Sequence, residues 1–148
     1  MMVILLTYWI CVTTEENWRI IREKNIWGVP PRSKKIIENV KEGDKLIFYV
    51  IQSKKDNEII PPKIVAIYEA SSKAFYDNKP LFKSYKGKIF PYRIKIKPIK
   101  IAKKPINFKE FVDRLSFIKN KKFWTAYFRR AMFEIPSMDF EILMKAIR

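Results

Sequence analysis

Lys41-Glu42-Gly43-Asp44-Lys45-Leu46-Ile47-Phe48-Tyr49-Val50-Ile51 is the stretch on which the fold turns. Its first four residues are polar and include a glycine, which suits a tight turn. The run that follows is dominated by β-branched and aromatic residues, the composition of a buried strand. Lys63 to Ala70 (KIVAIYEA) repeats that composition beyond the polar segment Gln52 to Pro62, so the two runs read as neighbouring strands joined by a long hairpin. Further on, Pro91 to Ile99 (PYRIKIKPI) alternates, with Tyr92, Ile94 and Ile96 on one face and Arg93, Lys95 and Lys97 on the other. One face of that strand is expected to be a row of cations. The apolar opening Met1 to Leu6 runs on to Ile10 without a basic leader region or a small-residue cleavage site, and it reads as another buried strand.

Helical signals fill the gaps. Thr13-Thr14-Glu15-Glu16 has the spacing of a capping box, Thr13 with Glu16, opening a helix to about Lys24 with Trp18 and Ile21 inward and Ile20 at the edge of that face. Asn25 to Pro31 cannot continue it, because Gly28 and the prolines interrupt helical geometry, so Trp27 is placed in an exposed loop. Ser33 then caps a short helix, Lys34 to Val40, and Ser71 to Phe90 reads as a long irregular loop. Asn107 caps a helix through about Ile118 with Phe108, Phe111, Val112 and Leu115 as its apolar stripe. Phe123 to Ile135 is ambiguous, and Pro136-Ser137 opens a last helix to Met144 or beyond. Strands that come in runs, rather than in regular alternation with helices, predict a mixed α+β fold. A curled sheet or small barrel with helices at its side, in one domain over residues 1–148, is the expected architecture.

Charge is the strongest functional signal. The chain has 31 Lys and Arg against 15 Asp and Glu, a net +16, more than solubility requires and suited to a polyanionic partner. The excess is segregated: Asn78 to Lys109 holds 11 cations and no acid, and Arg114 to Phe133 adds six with none. Aromatic residues are interleaved with them (Phe75, Tyr76, Phe82, Tyr85, Phe90, Tyr92, then Phe123, Trp124, Tyr127, Phe128), a composition fit for stacking bases beside phosphate contacts. Trp27, stiffened by the prolines after it, reads either as one wall of an aromatic pocket or as a plug beneath its loop.

Catalysis finds less support. With no histidine and a single cysteine, Ser-His-Asp and Cys-His arrangements, the usual zinc ligand sets and an internal disulfide all fail for want of residues. Cys11 lies in an apolar run, as a core residue would, and its solitude suits a reducing, cytoplasmic compartment. No glycine-rich phosphate loop is present. Asp44, Asp56, Asp77, Asp113 and Asp139 fall at turns or on helices without a spacing that suggests a shared metal, and no cofactor is called for. No apolar run approaches the roughly 20 residues of a membrane span, so a membrane is not an expected partner.

Several segments together resemble a known family. Tyr8-Trp9-Ile10, the Asn25-Ile26-Trp27-Gly28-Val29-Pro30 that ends the first helix, the Val40 to Lys45 turn into Leu46 to Val50, and Arg129-Arg130-Ala131-Met132-Phe133-Glu134-Ile135-Pro136 look like the EVE domain family, above all its archaeal members. The likeness spans essentially the whole chain. It implies a PUA-like curved mixed sheet or small barrel flanked by helices, akin to YTH and ASCH domains, and a module that binds RNA or DNA through a modified base. By the same resemblance Trp27 matches the tryptophan of the YTH aromatic cage, and Val12, Thr13 and Thr14 match the strand end that contacts the base. Arg129 and Arg130 precede Pro136 in the segment that closes the pocket, and Pro30 follows the cage tryptophan. The sequence departs from the YTH pattern where Cys11 and Val12 replace Lys-Ser, and no single residue between Phe75 and Phe90 stands for the second cage aromatic. The modification read is therefore open. The expectation is a non-catalytic reader, with Arg93, Lys95 and Lys97 gripping phosphates. Its alternatives are a shape-reading RNA-binding protein without a base pocket, a nucleotide- or RNA-modifying enzyme, and an adaptor for an acidic protein. The oligomeric state is left open.

Overall fold

In the computed structural model, residues 5–84 and 87–148 are described. The start of the expected first strand, Met1 to Ile4, and Tyr85 of the aromatic series lie outside them. In chain order the elements are β1 (Tyr8–Thr13), α1 (Glu15–Lys24), β2 (Ile26–Val29), α2 (Lys34–Ile37), β3 (Lys45–Val50), β4 (Ser53–Lys55), β5 (Glu58–Ile60), β6 (Lys63–Ala70), β7 (Phe75–Tyr76), β8 (Tyr92–Asn107), β9 (Met132–Ile135) and α3 (Ser137–Ala146).

Six strands follow one path, β2-β8-β6-β3-β1-β9, with β7 also paired to β8. β1 and β3 are parallel and the remaining pairs antiparallel, so the sheet is mixed. β8 is the long member, 16 residues, pairing with β6 over most of its length and with β2 and β7 at its start. Its register with β6 shifts twice, between Ile64 and Ala66 and between Ile67 and Tyr68. Such bulges bend a strand and increase its twist, which curls this sheet into a half-barrel.

Each face of the sheet buries its own core. On one side Trp9, Trp18, Trp27, Phe48 and Tyr68 pack beneath α1; on the other Tyr49, Phe108, Phe128, Phe133 and Phe140 pack beneath α3 and the short turns before it. The Lys41 to Asp44 turn is tied to β1 by the buried Asp44 carboxylate, which accepts from Thr7 N, Trp9 Nε1 and Lys41 N at 2.9–3.0 Å. Three donors and a nearby Lys41 ammonium compensate the cost of burying that charge.

The mixed α+β expectation, a curved sheet with helices at its side, holds. Several local readings are corrected. Leu5 and Leu6 are exposed and β1 begins only at Tyr8, because the parallel partner β3 begins opposite it at Lys45. α1 is capped by Thr14, whose hydroxyl accepts from Asn17 N at 3.1 Å, rather than by Thr13, which β1 retains as its last residue. Ser33 makes no side-chain cap; a single 3-10 turn, Pro31–Ser33, leads into α2, which ends at Ile37. Asn25 to Val29 is no loop: Asn25 takes the left-handed conformation that ends α1, and β2 follows at once, paired to β8. Between β3 and β6, Asp56 and Asn57 at positive φ turn a second small hairpin, β4 with β5. Asn107 does cap its segment, yet only a 3-10 turn, Phe108–Phe111, forms where a helix to Ile118 was expected. The apolar stripe is still buried there, since burial of Phe108, Phe111, Val112 and Leu115 does not require a helix.

Candidate nucleic-acid interface

The carboxyl end of β1, the start of α1, β2 and the segment before β8 converge on a recess of about 100 Å³. Val12 and Thr13 of β1, Trp27 of β2, the α1 cap Thr14 and Pro30 just after β2 all line it. Trp27 is only 3% exposed: its Nε1 donates to Met132 Sδ at 3.4 Å and its ring meets Phe48 edge-on at 5.5 Å. The indole is thus anchored in the core while forming part of the recess lining, and the exposed position expected for it is corrected. β2 fixes it there through its register with β8, Trp27 opposite Ile94.

Phe82 and Phe90 complete the aromatic lining, with ring centroids 6.0 Å apart. They sit on the irregular segment between β7 and β8, which two devices hold down. Asn17, 6% exposed on α1, accepts from Lys83 N and donates to Lys83 O, both at 2.7 Å. Arg93 donates through Nε to Phe90 O at 2.9 Å and through Nη2 to Lys79 O, pairs with Asp77 at 3.4 Å and lies over the Phe82 ring at 5.7 Å. Gly28 makes room for this closure, since a Cβ there would stand 2.6 Å from the Phe82 ring and 3.1 Å from Phe90 O.

Arg93 therefore corrects the expected cation row. It is 2% exposed and committed to the protein, while Lys95 and Lys97 are exposed. Lys97 reaches Glu69 at 2.9 Å, and hydrogen bonds from Lys45 and Lys97 hold the Glu69 carboxyl below its ordinary range. Lys95 has no ion pair among the described residues. Arg129 and Arg130 are exposed at the end of the turn before β9; Arg130 stacks on Phe133 at 4.6 Å and does not line the recess, although Ala131 beside it does.

Outside the recess lies an open bowl of about 950 Å³, which shares Thr14, Asn17, Pro30 and Phe90 with it. Arg32, Lys83 and Lys88 border the bowl, none of the described residues around it is acidic, and these three cations have no ion pair among the described residues. The sequence pointed to Trp27 and the end of β1, and to Lys83 and Lys88 only as members of the Asn78 to Lys109 cation block, but not to Asn17 or Arg32. For Asn17 a signal existed: it stands four residues before Ile21, a polar residue on the apolar face of α1.

Groups that chemistry would draw on are quiet. Burial pushes the Cys11 thiol well above its ordinary value and raises the Tyr49 hydroxyl too, where its ring stacks on Phe128 at 4.0 Å. Among the described residues no cluster of three acids or cysteines is arranged to hold a metal, and no helix is long and apolar enough to cross a membrane.

A curled mixed half-barrel flanked by helices, with the parallel pair β1 and β3 leading into an aromatic recess, is a PUA-like α+β fold. The chain belongs to the EVE domain family, whose model matches residues 7–146. It is similar to the UPF0310 protein PH1033 of Pyrococcus horikoshii, 47% identical over 146 residues that cover 96% of this chain and 99% of that protein. Its fold is shared with human THYN1, solved in complex with 5-methylcytosine-containing DNA, at TM-score 0.63 and 15% identity over 94% of this chain and 96% of that one. The Mmi1 YTH domain, solved in complex with RNA, also gives TM-score 0.63, at 17% identity over 95% of this chain and 77% of that one.

Proposed function

We propose that this protein is a non-catalytic nucleic-acid-binding module that draws one base of a strand, a modified one by preference, into the recess between Trp27, Phe82 and Phe90. The carrying observation is a narrow aromatic recess beside a wide bowl whose charged residues, among those described, are all cations. An apolar cavity of about 150 Å³ takes up benzene. The recess, at about 100 Å³, is smaller than that, so it admits part of one base and leaves the rest of it, with sugar and phosphate, on the bowl side. There Arg32, Lys83 and Lys88 offer charge to the phosphates, with Lys95 continuing the positive surface along β8. A methyl group carried into the recess gains roughly 0.8 kcal/mol by leaving water, which is how a modified base outcompetes the plain one. The bound partners of THYN1 and of the Mmi1 YTH domain, on the same fold, support this reading.

The test is titration of matched oligonucleotides, unmodified and carrying 5-methylcytosine or N6-methyladenine, into wild type and Trp27→Phe at two salt concentrations. Trp27→Ala is the poorer variant, since deleting a buried tryptophan costs about 3–5 kcal/mol of stability. Trp27→Phe is expected to narrow the preference for the modified strand while leaving the salt slope intact. Equal affinity of wild type for modified and plain strands at both salt concentrations refutes base recognition and favours reading of nucleic-acid shape.

A further inference from the structure

Tyr76 has no role in either core. The residue is 63% exposed, the most open aromatic residue among those described. Yet its backbone is fixed: β7 pairs it with Tyr92, and the next residue closes the ladder through Asp77 N to Pro91 O at 2.8 Å. The side chain leans on Tyr92, ring centroids 5.5 Å apart at 66°. An aromatic ring held so firmly and left bare loses little freedom when a planar group stacks on it.

Its position is the second observation. Tyr76 stands on the border between the bowl and a neighbouring depression of about 370 Å³, and lines both. Arg32 and Lys88 lie on the bowl side. Lys34 lies on the other, its ammonium 5.7 Å from the centre of the Tyr92 ring, with Glu38 the one acid there. The bowl shares Thr14, Asn17, Pro30 and Phe90 with the recess. For a strand with one base in the recess and its sugar-phosphate in the bowl, Tyr76 borders one way out of the bowl.

We propose that Tyr76 is a stacking platform for the base next to the one in the recess, with Arg32 and Lys34 on either side of it for the phosphates. The ligand of this protein is then a single strand, or a locally opened duplex, of at least two nucleotides. This rests on the recess reading above and adds a second subsite to it. Stacking on an aromatic ring is sequence-tolerant, so the platform sets ligand length and strandedness while the recess sets base identity.

The experiment compares 5′-mononucleotides (the four common bases, 5-methylcytosine and N6-methyladenine) with trinucleotides carrying the same central base between either two thymines or two abasic sites. Affinity is read by calorimetry and recess occupancy by the NMR signal of the Trp27 indole N–H. In wild type the thymine-flanked trinucleotide is expected to bind about tenfold more tightly than the abasic-flanked one. Tyr76→Ala is expected to erase that ratio with little change in mononucleotide affinity, and Tyr76→Phe to keep it. Equal affinity for the two trinucleotides in wild type, or a ratio that survives Tyr76→Ala, overturns the platform. A Trp27 signal that no ligand moves overturns the recess reading instead, whether or not the flanking-base ratio is present. Absence of any binding overturns both. Tyr76 is exposed, so the variants are expected to fold, which an unchanged melting temperature verifies.

Discussion

Arg93 stands between Tyr92 and Ile94 in an alternating strand, where a cation is normally a solvated residue, yet its guanidinium is closed off behind Phe82 and the Lys79 and Phe90 carbonyls. Burying it is tolerable because a planar fork with five N–H donors meets two carbonyls and the Asp77 carboxylate at once. Arg93→Met is expected to destabilise the fold by about 3 kcal/mol, the low end for breaking a buried pair, since Asp77 is partly exposed. Chemical denaturation reads that loss directly. The same variant is expected to leave the salt slope of oligonucleotide binding unchanged, and a flatter slope contradicts the structural role given to Arg93 here. Gly28 is the companion constraint: Gly28→Ala forces Phe82 or the Phe90 carbonyl outward, with an expected cost of about 1–3 kcal/mol and weaker base discrimination in the same titration.

Among elements, β8 adds exposed lysines to the basic surface, but these are not equivalent. Lys95 has no ion pair among the described residues, whereas Lys97 shares Glu69 with Lys45. Phosphate contact by Lys95 releases a counterion without breaking anything; contact by Lys97 must first give up a carboxylate. Lys95→Ala is therefore expected to lower the magnitude of the single-strand salt slope by about 0.7, and Lys97→Ala by clearly less, measured as log affinity against log salt. Glu69 also has a pH consequence. Its folded value lies below its unfolded one, so its contribution to stability is complete above the ordinary glutamate range and disappears as pH falls through the lowered value. Near neutrality the Lys97 tether is then pH-independent, and a Lys97 effect that grows between pH 6 and 8 contradicts it.

Over the whole molecule, a net +16 on 148 residues is self-repelling. The melting temperature is expected to rise with ionic strength in the absence of ligand, as screening relieves that repulsion. A bound oligonucleotide at a hundred times its dissociation constant adds about 2.7 kcal/mol, several degrees for a domain of this size, and that increment is expected to shrink as salt is added. Differential scanning fluorimetry across a salt series with and without oligonucleotide separates the two effects, which have opposite salt dependence. A ligand increment that is flat with salt contradicts an interface dominated by phosphates.

What the chain dictates locally was legible without coordinates. The composition of Lys45 to Ile51 and Lys63 to Ala70 marked two neighbouring strands, Pro136-Ser137 marked the start of α3, and the buried stripe of Phe108, Phe111, Val112 and Leu115 was visible as a pattern. Through family resemblance, so were Val12 to Thr14, Trp27 and Pro30 as residues that belong together. What depends on approach between distant segments was not legible. Periodicity reports which side of a strand a residue occupies but not what the chain later lays over that side. Hence Arg93 read as solvent-facing until the segment from Asp77 to Phe90 closed over it, and Trp27 read as a loop residue until β8 supplied β2 with a partner. The recess itself exists only because Asn17 and Arg93 bring Phe82 and Phe90 against β1 and β2, contacts that span up to 66 residues of sequence and that local composition cannot encode.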